Sequence, residues 1–178
     1  VPDFIWASLP CETYSRAPAS YHRSTENLDK SKKAREHNFI FLQMTKIMEW
    51  AKEKHPHLIV VIENPVGSLK KMPLMKAFTD RFGLTSTTVN YCAFGRDEMK
   101  PTMIWTNDWG LKTSLQEFTC KKKCQFGIGR HIGHVSDGND VGVIPEPLAE
   151  EVAEYVNAKL FMDRIRKKKA ALVNDDED

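Results

Sequence analysis

Residues 57–65 read HLIVVIENP, an unbroken apolar run that ends in a glutamate, an asparagine and a proline. β-branched residues dominate the run, and its length and composition predict a strand that is buried on both faces in a parallel sheet. Glu63 therefore stands at the carboxyl end of a predicted central strand.

Predicted helices and strands alternate on either side of this run. Residues 3–7 are apolar and lead into a loop at Pro10, which predicts a first strand. Further strands are predicted at 87–93 and 103–106, and helices at 39–54, 68–82 and 147–168. Pro73 predicts a break in the second helix and Gly83 its end. This alternation predicts an α/β fold with parallel strands and covering helices.

Two segments lack a periodic pattern. Residues 14–33 are polar and rich in Ser, Arg and Lys, and they predict a long mobile loop. Residues 170–178 predict an acidic disordered tail. The remaining 1–169 are expected to form one domain, as the length of 178 residues suggests.

Composition excludes some classes of protein. The chain is 41% hydrophobic and 28% charged with a net charge of +2, which is typical of a globular domain without a global basic field. No apolar run approaches the roughly 20 residues that span a bilayer. Four cysteines without a secretory signal predict reduced thiols or metal ligands, and hence an intracellular protein, nuclear or cytoplasmic according to its host. The basic run 121–123 is either a DNA contact or a solvated loop.

Cys11 and Glu63 are the candidate reactive groups. A cysteine in a tight loop after a strand can act as a nucleophile, with a buried structural thiol as the alternative. A glutamate that ends a buried strand should have a raised pKa, as an acid catalyst requires, although a capping or paired glutamate is the alternative. Because strand ends of a parallel sheet share one crevice, the two groups together favour a catalytic site.

Four segments, in order along the chain, are similar to segments of a known family. They are Pro10-Cys11 with 13–15, 63–65 with Gly67, 90–95 with 100–107, and 143–148. The first resembles the Pro-Pro-Cys loop of DNA (cytosine-5) methyltransferases. The second resembles that family's Glu-Asn-Val, and Glu-Asn-Pro-x-Gly is familiar in phage-type members. The chain thus resembles this family over nearly its whole length.

The resemblance implies a Rossmann-like, S-adenosylmethionine-dependent fold, of which this chain would hold the second, catalytic half of the sheet. Cys11 would add to C6 of a cytosine that is flipped out of DNA. Glu63 would bind the ring nitrogen and the exocyclic amine, and Asn64 would support the pocket. The activated C5 would then take a methyl group from S-adenosylmethionine.

The resemblance also implies binding residues. Those for the substrate would be Ser15, Pro65, Lys100 and Thr102, and those for S-adenosylmethionine would be Trp6 and Pro10. Lys100 and Thr102 stand where the family has an Arg-x-Arg pair, and Leu9 stands where it has the first proline of the cysteine loop. Arginine and lysine are not equivalent at bidentate sites.

The family's glycine-rich cofactor loop precedes the cysteine loop, yet ten residues precede Cys11 and none matches it. We therefore expect an upstream segment of a longer polypeptide, or a second chain, to supply the cofactor site. The alternative is a catalytically inactive module that binds DNA or a protein partner.

A second group of residues has the chemistry of a zinc site. Cys120, Cys124, His131 and His134 lie within fifteen residues of one another. Thiolates and imidazoles are the ligands of tetrahedral zinc, so the four predict a metal site. Two reduced cysteines and two surface histidines in a DNA-facing loop are the alternative.

Overall fold

The computed structural model describes residues 1–15, 19–120 and 143–174. In that part of the chain one four-stranded sheet is accompanied by α-helices. The strands are β1 (Phe4–Ser8), β2 (Ile59–Pro65), β3 (Thr85–Asn90) and β4 (Pro101–Thr106). The helices are α1 (Ala19–His22), α2 (Lys32–Lys54), α3 (Pro73–Phe82), α4 (Trp109–Leu115) and α5 (Glu146–Asn174). The predicted α/β class is confirmed.

The sheet is mixed, with the strand order β1-β2-β4-β3. β1 and β2 are parallel, whereas β4 is antiparallel to both of its neighbours. The prediction of parallel strands throughout is therefore wrong for β4. The connection 91–100 contains only a 3-10 turn, Tyr91–Phe94, which ends at Gly95 with φ of 85°. A link without a crossover helix returns the chain antiparallel. The mixed sheet is compatible with a Rossmann-like fold.

β2 is the buried centre of the sheet, as predicted, and all its residues from Ile59 to Asn64 are buried. Its side chains alternate between two apolar clusters. Val60 and Ile62 belong to the cluster that contains residues of α2 and α3, and Ile59 and Val61 to the one that contains residues of α4 and α5. Because successive strand residues point to opposite faces, Glu63 and Asn64 project to opposite sides of the sheet.

α2 begins at Lys32 rather than at residue 39. Ser31 caps it: the backbone of Ser31 is extended and its Oγ accepts the N–H of Ala34 at 3.1 Å. The preceding segment is organised as well, with α1 and an isolated bridge between Arg23 and Asp29. The prediction of an irregular loop over residues 14–33 is therefore wrong for residues 19–33.

The break predicted at Pro73 is confirmed. A 3-10 turn over Leu69–Lys71 precedes α3, and Pro73 opens α3, where its missing N–H costs no helical hydrogen bond. Gly83 ends α3 in the left-handed conformation with φ of 63°. β3 ends earlier than predicted because the chain turns into a 3-10 helix at Tyr91.

α5 extends beyond both ends of the predicted 147–168. Leu148, Val152 and Val156 of its first half are buried in the cluster shared with α4. The helix also covers residues 170–174 of the predicted tail, and residues 175–178 lie outside the described part. Within the described ranges, no helix combines the length and the apolar character needed to cross a bilayer.

Asp108 joins α4 to α5. Its Oδ1 accepts the N–H of Leu111 at 2.8 Å and so caps α4, and it also accepts the hydroxyl of Tyr155 at 2.8 Å. Lys159 of α5 lies 3.0 Å from Oδ2. One buried carboxylate thus accepts a hydrogen bond from the start of α4 and contacts two side chains of α5.

We expect Asp108→Ala to lower the free energy of unfolding by about 2 kcal/mol, because a lost N-cap alone costs about 1 kcal/mol and a tyrosine loses its acceptor. Urea denaturation followed by circular dichroism measures the change. The matched control is Asp163→Ala, which removes an exposed pair with Arg166 and should cost less than about 0.5 kcal/mol. Equal losses in the two variants would contradict the linking role of Asp108.

Candidate active site

Parallel pairing of β1 with β2 places Ser8 opposite Glu63. Cys11 follows three residues later, in a tight turn whose backbone N–H groups at Tyr14 and Ser15 donate to the Cys11 carbonyl at 3.0 and 2.8 Å. Cys11 and Glu63 are close enough to interact electrostatically. The structure thus brings together the two reactive groups that the sequence predicted.

Glu63 is buried, with 5% of its surface exposed, and it has two hydroxyl donors. The Tyr91 hydroxyl donates to Glu63 Oε1 at 3.1 Å, and the Ser8 hydroxyl hydrogen-bonds the same carboxyl group. Burial raises the pKa of Glu63, and the opposing effects of Lys100 and the two hydroxyls do not cancel the rise. Glu63 can therefore carry a proton nearer to neutral pH than an ordinary glutamate.

Lys100 completes the cluster with Cys11, Glu63 and Tyr91. Its Nζ lies 4.6 Å from the centroid of the Tyr91 ring, in a cation–π contact. Burial lowers the pKa of Lys100, while Glu63 and Cys11 act to raise it. For Cys11, burial raises the thiol pKa, Lys100 lowers it and Glu63 raises it, with a net increase. The Cys11 thiol thus lies under the opposing influence of a cation and a carboxyl group, with burial favouring its protonated form.

Asn64 supports the cysteine loop from the other face of the sheet. Its side chain is fully buried, and Nδ2 donates to the Leu9 carbonyl at 3.0 Å. Asn64 Oδ1 is also buried and has no hydrogen-bond partner in the described part of the chain. Adjacent residues of β2 therefore have different contacts. Glu63 belongs to the reactive cluster, and Asn64 hydrogen-bonds the loop that carries the thiol.

The loop after β2 is joined directly to the cysteine loop. Ser15 and Gly67 form an isolated bridge, and the backbone N–H of Ser68 donates to the Tyr14 carbonyl at 2.7 Å. The Ser68 hydroxyl donates to the same carbonyl at 3.1 Å. A Cβ at position 67 would lie 2.0 Å from that oxygen, so only glycine allows the two loops to approach this closely.

The residues predicted to bind substrate do not all lie in one place. Lys100 belongs to the reactive cluster, and Ser15 takes part in the junction of the two loops. Thr102 is fully buried beside Pro65 in the β2–β4 register, and its hydroxyl donates to the Lys100 carbonyl at 3.2 Å. The Thr102 side chain also hydrogen-bonds Tyr91, so Thr102 lies behind the reactive cluster and has no exposed surface for a ligand.

Trp6 and Pro10, predicted to border the cofactor, are both half-buried. Trp6 packs against the cluster shared with α4 and α5, and its Nε1 donates to Ser8 Oγ at 2.8 Å. Because Ser8 in turn hydrogen-bonds Glu63, Trp6 is linked to the reactive cluster through one hydroxyl.

Most of the predicted zinc site lies outside the described residues, namely Cys124, His131 and His134. Cys120 is described, and its backbone N–H donates to Asn90 Oδ1 at 2.9 Å. In residues 1–15, 19–120 and 143–174 no group of three or more potential ligands comes together. The basic run 121–123 also lies outside the described residues.

Sequence reasoning missed Tyr91 and Ser8 as site residues. Tyr91 lies in a predicted strand, and the sequence does not reveal which group the hydroxyl of a buried tyrosine hydrogen-bonds. Ser8 had a usable signal, since it follows the apolar run of β1 and parallel pairing brings the ends of neighbouring strands together.

Comparison with known proteins gave no relatives: no protein-family model matches this sequence, and no curated protein matches it.

We expect Gly67→Ala to destabilise the chain by roughly 1–3 kcal/mol, because the added methyl group meets a backbone oxygen that cannot turn away. Urea denaturation measures the loss. Val66→Ala is the control, since it changes the neighbouring side chain without adding an atom against the Tyr14 carbonyl. A Gly67→Ala variant as stable as the wild type would show that the two loops are not in close contact.

The thiol pKa of Cys11 should respond to two variants with opposite sign. Lys100→Met removes the cation that lowers this pKa and should raise it, whereas Glu63→Gln removes an anion and should lower it. The pH dependence of Cys11 alkylation by iodoacetamide, followed by peptide mass spectrometry, gives the midpoint. Lys112→Met, which changes a lysine stacked on Trp109, is the control. Shifts of the same sign in Lys100→Met and Glu63→Gln would disprove the arrangement.

Proposed function

We propose that this chain carries the base-activating half of a DNA (cytosine-5) methyltransferase. The observation that carries the proposal is the placement of a thiol, Cys11, and a buried carboxyl group, Glu63, at the ends of two paired parallel strands, within electrostatic range of each other. A nucleophile beside an acid is what addition to a pyrimidine ring requires. The order of motifs along the sequence supports cytosine in DNA as the substrate.

In the proposed reaction the Cys11 thiol loses its proton to solvent, and the resulting thiolate adds to C6 of a cytosine flipped out of the duplex. As the S–C6 bond forms, the electron pair of the C5–C6 double bond shifts to C4–C5. The pair of the C4–N3 double bond then takes a proton from Glu63. The product is an enamine with an electron-rich C5, which is the atom to be methylated.

The neighbours of Glu63 support its role as the acid. Burial raises the pKa of the carboxyl group, so Glu63 keeps its proton to a higher pH than an ordinary glutamate and can offer it to N3. The hydroxyls of Tyr91 and Ser8 fix the orientation of the carboxyl group, because each hydrogen-bonds it. A rotating carboxylic acid would lose part of the benefit of its position.

Lys100 supports the nucleophile. Burial by itself would keep Cys11 protonated, and Lys100 is the strongest of the influences that lower the thiol pKa. In the proposed complex Lys100 also offers a positive charge to the base or to a nearby phosphate. Its role is thus electrostatic, where the family's arginine would add bidentate hydrogen bonds.

Trp6 and Pro10 do not fit the role of a complete cofactor site. Trp6 offers an apolar wall, but its single N–H already donates to Ser8, and proline has no N–H. Neither side chain offers a charge, or a hydrogen-bonding group that is still free, to the ribose hydroxyls or the charged groups of S-adenosylmethionine. The proposal therefore assigns the methyl donor to an upstream segment or to a second chain, and DNA to this one.

The proposal predicts exchange of the hydrogen at C5 of cytosine without any methyl donor. Once Cys11 is bound to C6, C5 takes up a solvent proton, and elimination of Cys11 releases the original hydrogen. The 178-residue chain is incubated with duplex DNA that carries tritium at C5, and tritium in water is counted. Cys11→Ser and Glu63→Gln should each reduce release at least about 100-fold.

Glu53→Gln is the matched control, because Glu53 is an exposed glutamate at the end of α2, and it should release tritium at the wild-type rate. A folded wild-type chain that binds the DNA and releases no tritium would overturn the proposal. That result would favour a catalytically inactive module that binds DNA.

A further inference from the structure

Arg23 is buried next to the cysteine loop. Only 2% of its surface is exposed, although it lies in a segment whose sequence is mostly polar. Its Nε donates to the Thr13 carbonyl at 2.8 Å, and one terminal nitrogen donates to the Thr13 hydroxyl at 3.1 Å. The guanidinium also lies over the Tyr14 ring, 4.5 Å from its centroid. Arg23 thus contacts both residues at the centre of the turn that begins at Cys11.

The charge of Arg23 is balanced from the opposite side. Asp29 accepts from a terminal nitrogen of Arg23 at 2.7 Å, and Asn38 of α2 accepts from the other at 3.0 Å. The amide of Asn38 donates to both carboxylate oxygens of Asp29 at 2.8 Å. The Tyr14 hydroxyl donates to Asn38 Oδ1 at 3.1 Å. These contacts form a closed network between the loop and the start of α2.

His37 adds a second link from α2. Its Nδ1 lies 3.0 Å from the Thr13 hydroxyl, and both residues are buried. Thr13 is therefore held at its carbonyl by Arg23 and at its hydroxyl by Arg23 and His37. No strand or helix fixes residues 11–15, so these side-chain contacts replace the regular hydrogen bonds that the segment lacks.

We propose that Arg23 is a positioning residue that holds the Cys11 turn in its reactive conformation. The inference rests on the proposed role of Cys11 as a nucleophile. Apolar side chains could fill the same space, often at no loss of stability, so packing alone does not call for a buried charge. The guanidinium group of arginine is planar, and its N–H groups point in fixed directions. Its hydrogen bonds therefore set the orientation of Thr13 relative to Asp29. The position of the turn that begins at Cys11 follows from that of Thr13.

The test separates a local effect on the loop from general unfolding. Alkylation by iodoacetamide is followed at Cys11 and at Cys92 in the same sample by peptide mass spectrometry. Cys92 is 2% exposed and reports unfolding of the core, whereas Cys11 reports opening of its turn. Arg23→Gln should accelerate alkylation of Cys11 by roughly tenfold or more and leave Cys92 unchanged, because hydrogen bonds to a buried charge are lost.

Two further variants sharpen the result. Arg23→Lys keeps the charge without the planar guanidinium group and should give an intermediate rate at Cys11. Arg81→Gln, which removes an arginine from an exposed ion pair with Glu49, should leave both rates at their wild-type values. Equal acceleration at Cys11 and Cys92 in Arg23→Gln would mean that Arg23 stabilises only the fold and would overturn the proposal. So would an unchanged rate at Cys11.

Tritium release by the same variants then distinguishes the two proposals. If Arg23 positions Cys11, release should fall in Arg23→Gln while simple alkylation rises, since exposure helps a small reagent and misalignment harms addition to the base. Alkylation itself involves neither DNA nor cytosine. A faster Cys11 alkylation in Arg23→Gln therefore shows that Arg23 holds the turn, whether or not the wild type releases tritium, whereas absence of tritium release from the wild type overturns only the role of Cys11 as a nucleophile.

Discussion

The register in which β1 pairs with β2 determines where every part of the site lies. Ser8 stands opposite Glu63, so the end of β1 delivers both a hydroxyl donor and the cysteine turn to the carboxyl group. Side chains alternate along a strand, and a slip by one residue would exchange the faces of Glu63 and Asn64. The carboxyl group would then leave Tyr91, and the amide would leave the Leu9 carbonyl. The buried alternation of β2 makes that slip costly, because four apolar side chains would also change faces.

Burial sets the chemistry of the cluster. It favours the neutral form of each member, since it raises the pKa of Cys11, Glu63 and Tyr91 and lowers that of Lys100. The groups also interact with one another, so their protons belong to the cluster as a whole rather than to single residues. A change of charge at one of these groups therefore changes the pKa of the others. This coupling suits a reaction in which a nucleophile forms its bond while an acid gives up its proton.

The sequence was informative where a single strand or a single local motif decides the structure. The apolar run of β2, the end of α3 at Gly83 and the proximity of Cys11 to Glu63 could all be predicted. The antiparallel direction of β4 could not be predicted, because it depends on the connection 91–100, which contains a 3-10 turn and no crossover helix. The Arg23 network could not be predicted either, because its members are spread over 13–38 and only tertiary contacts reveal that Thr13, Arg23 and His37 are buried.

Three backbone carbonyl groups of the cysteine loop accept hydrogen bonds from side chains or backbone outside the loop. Leu9 is held by Asn64, Thr13 by Arg23, and Tyr14 by Ser68. Every amino acid offers a carbonyl oxygen, so substitutions inside the loop leave these three contacts in place. The three contacts therefore depend on the identity of the donors and not on the identity of the residues that supply the carbonyl groups. A substitution on β2, on the turn after it or next to α1 can thus displace the loop that carries the thiol, whereas a substitution at position 9 changes the side chain and leaves the Asn64 contact in place.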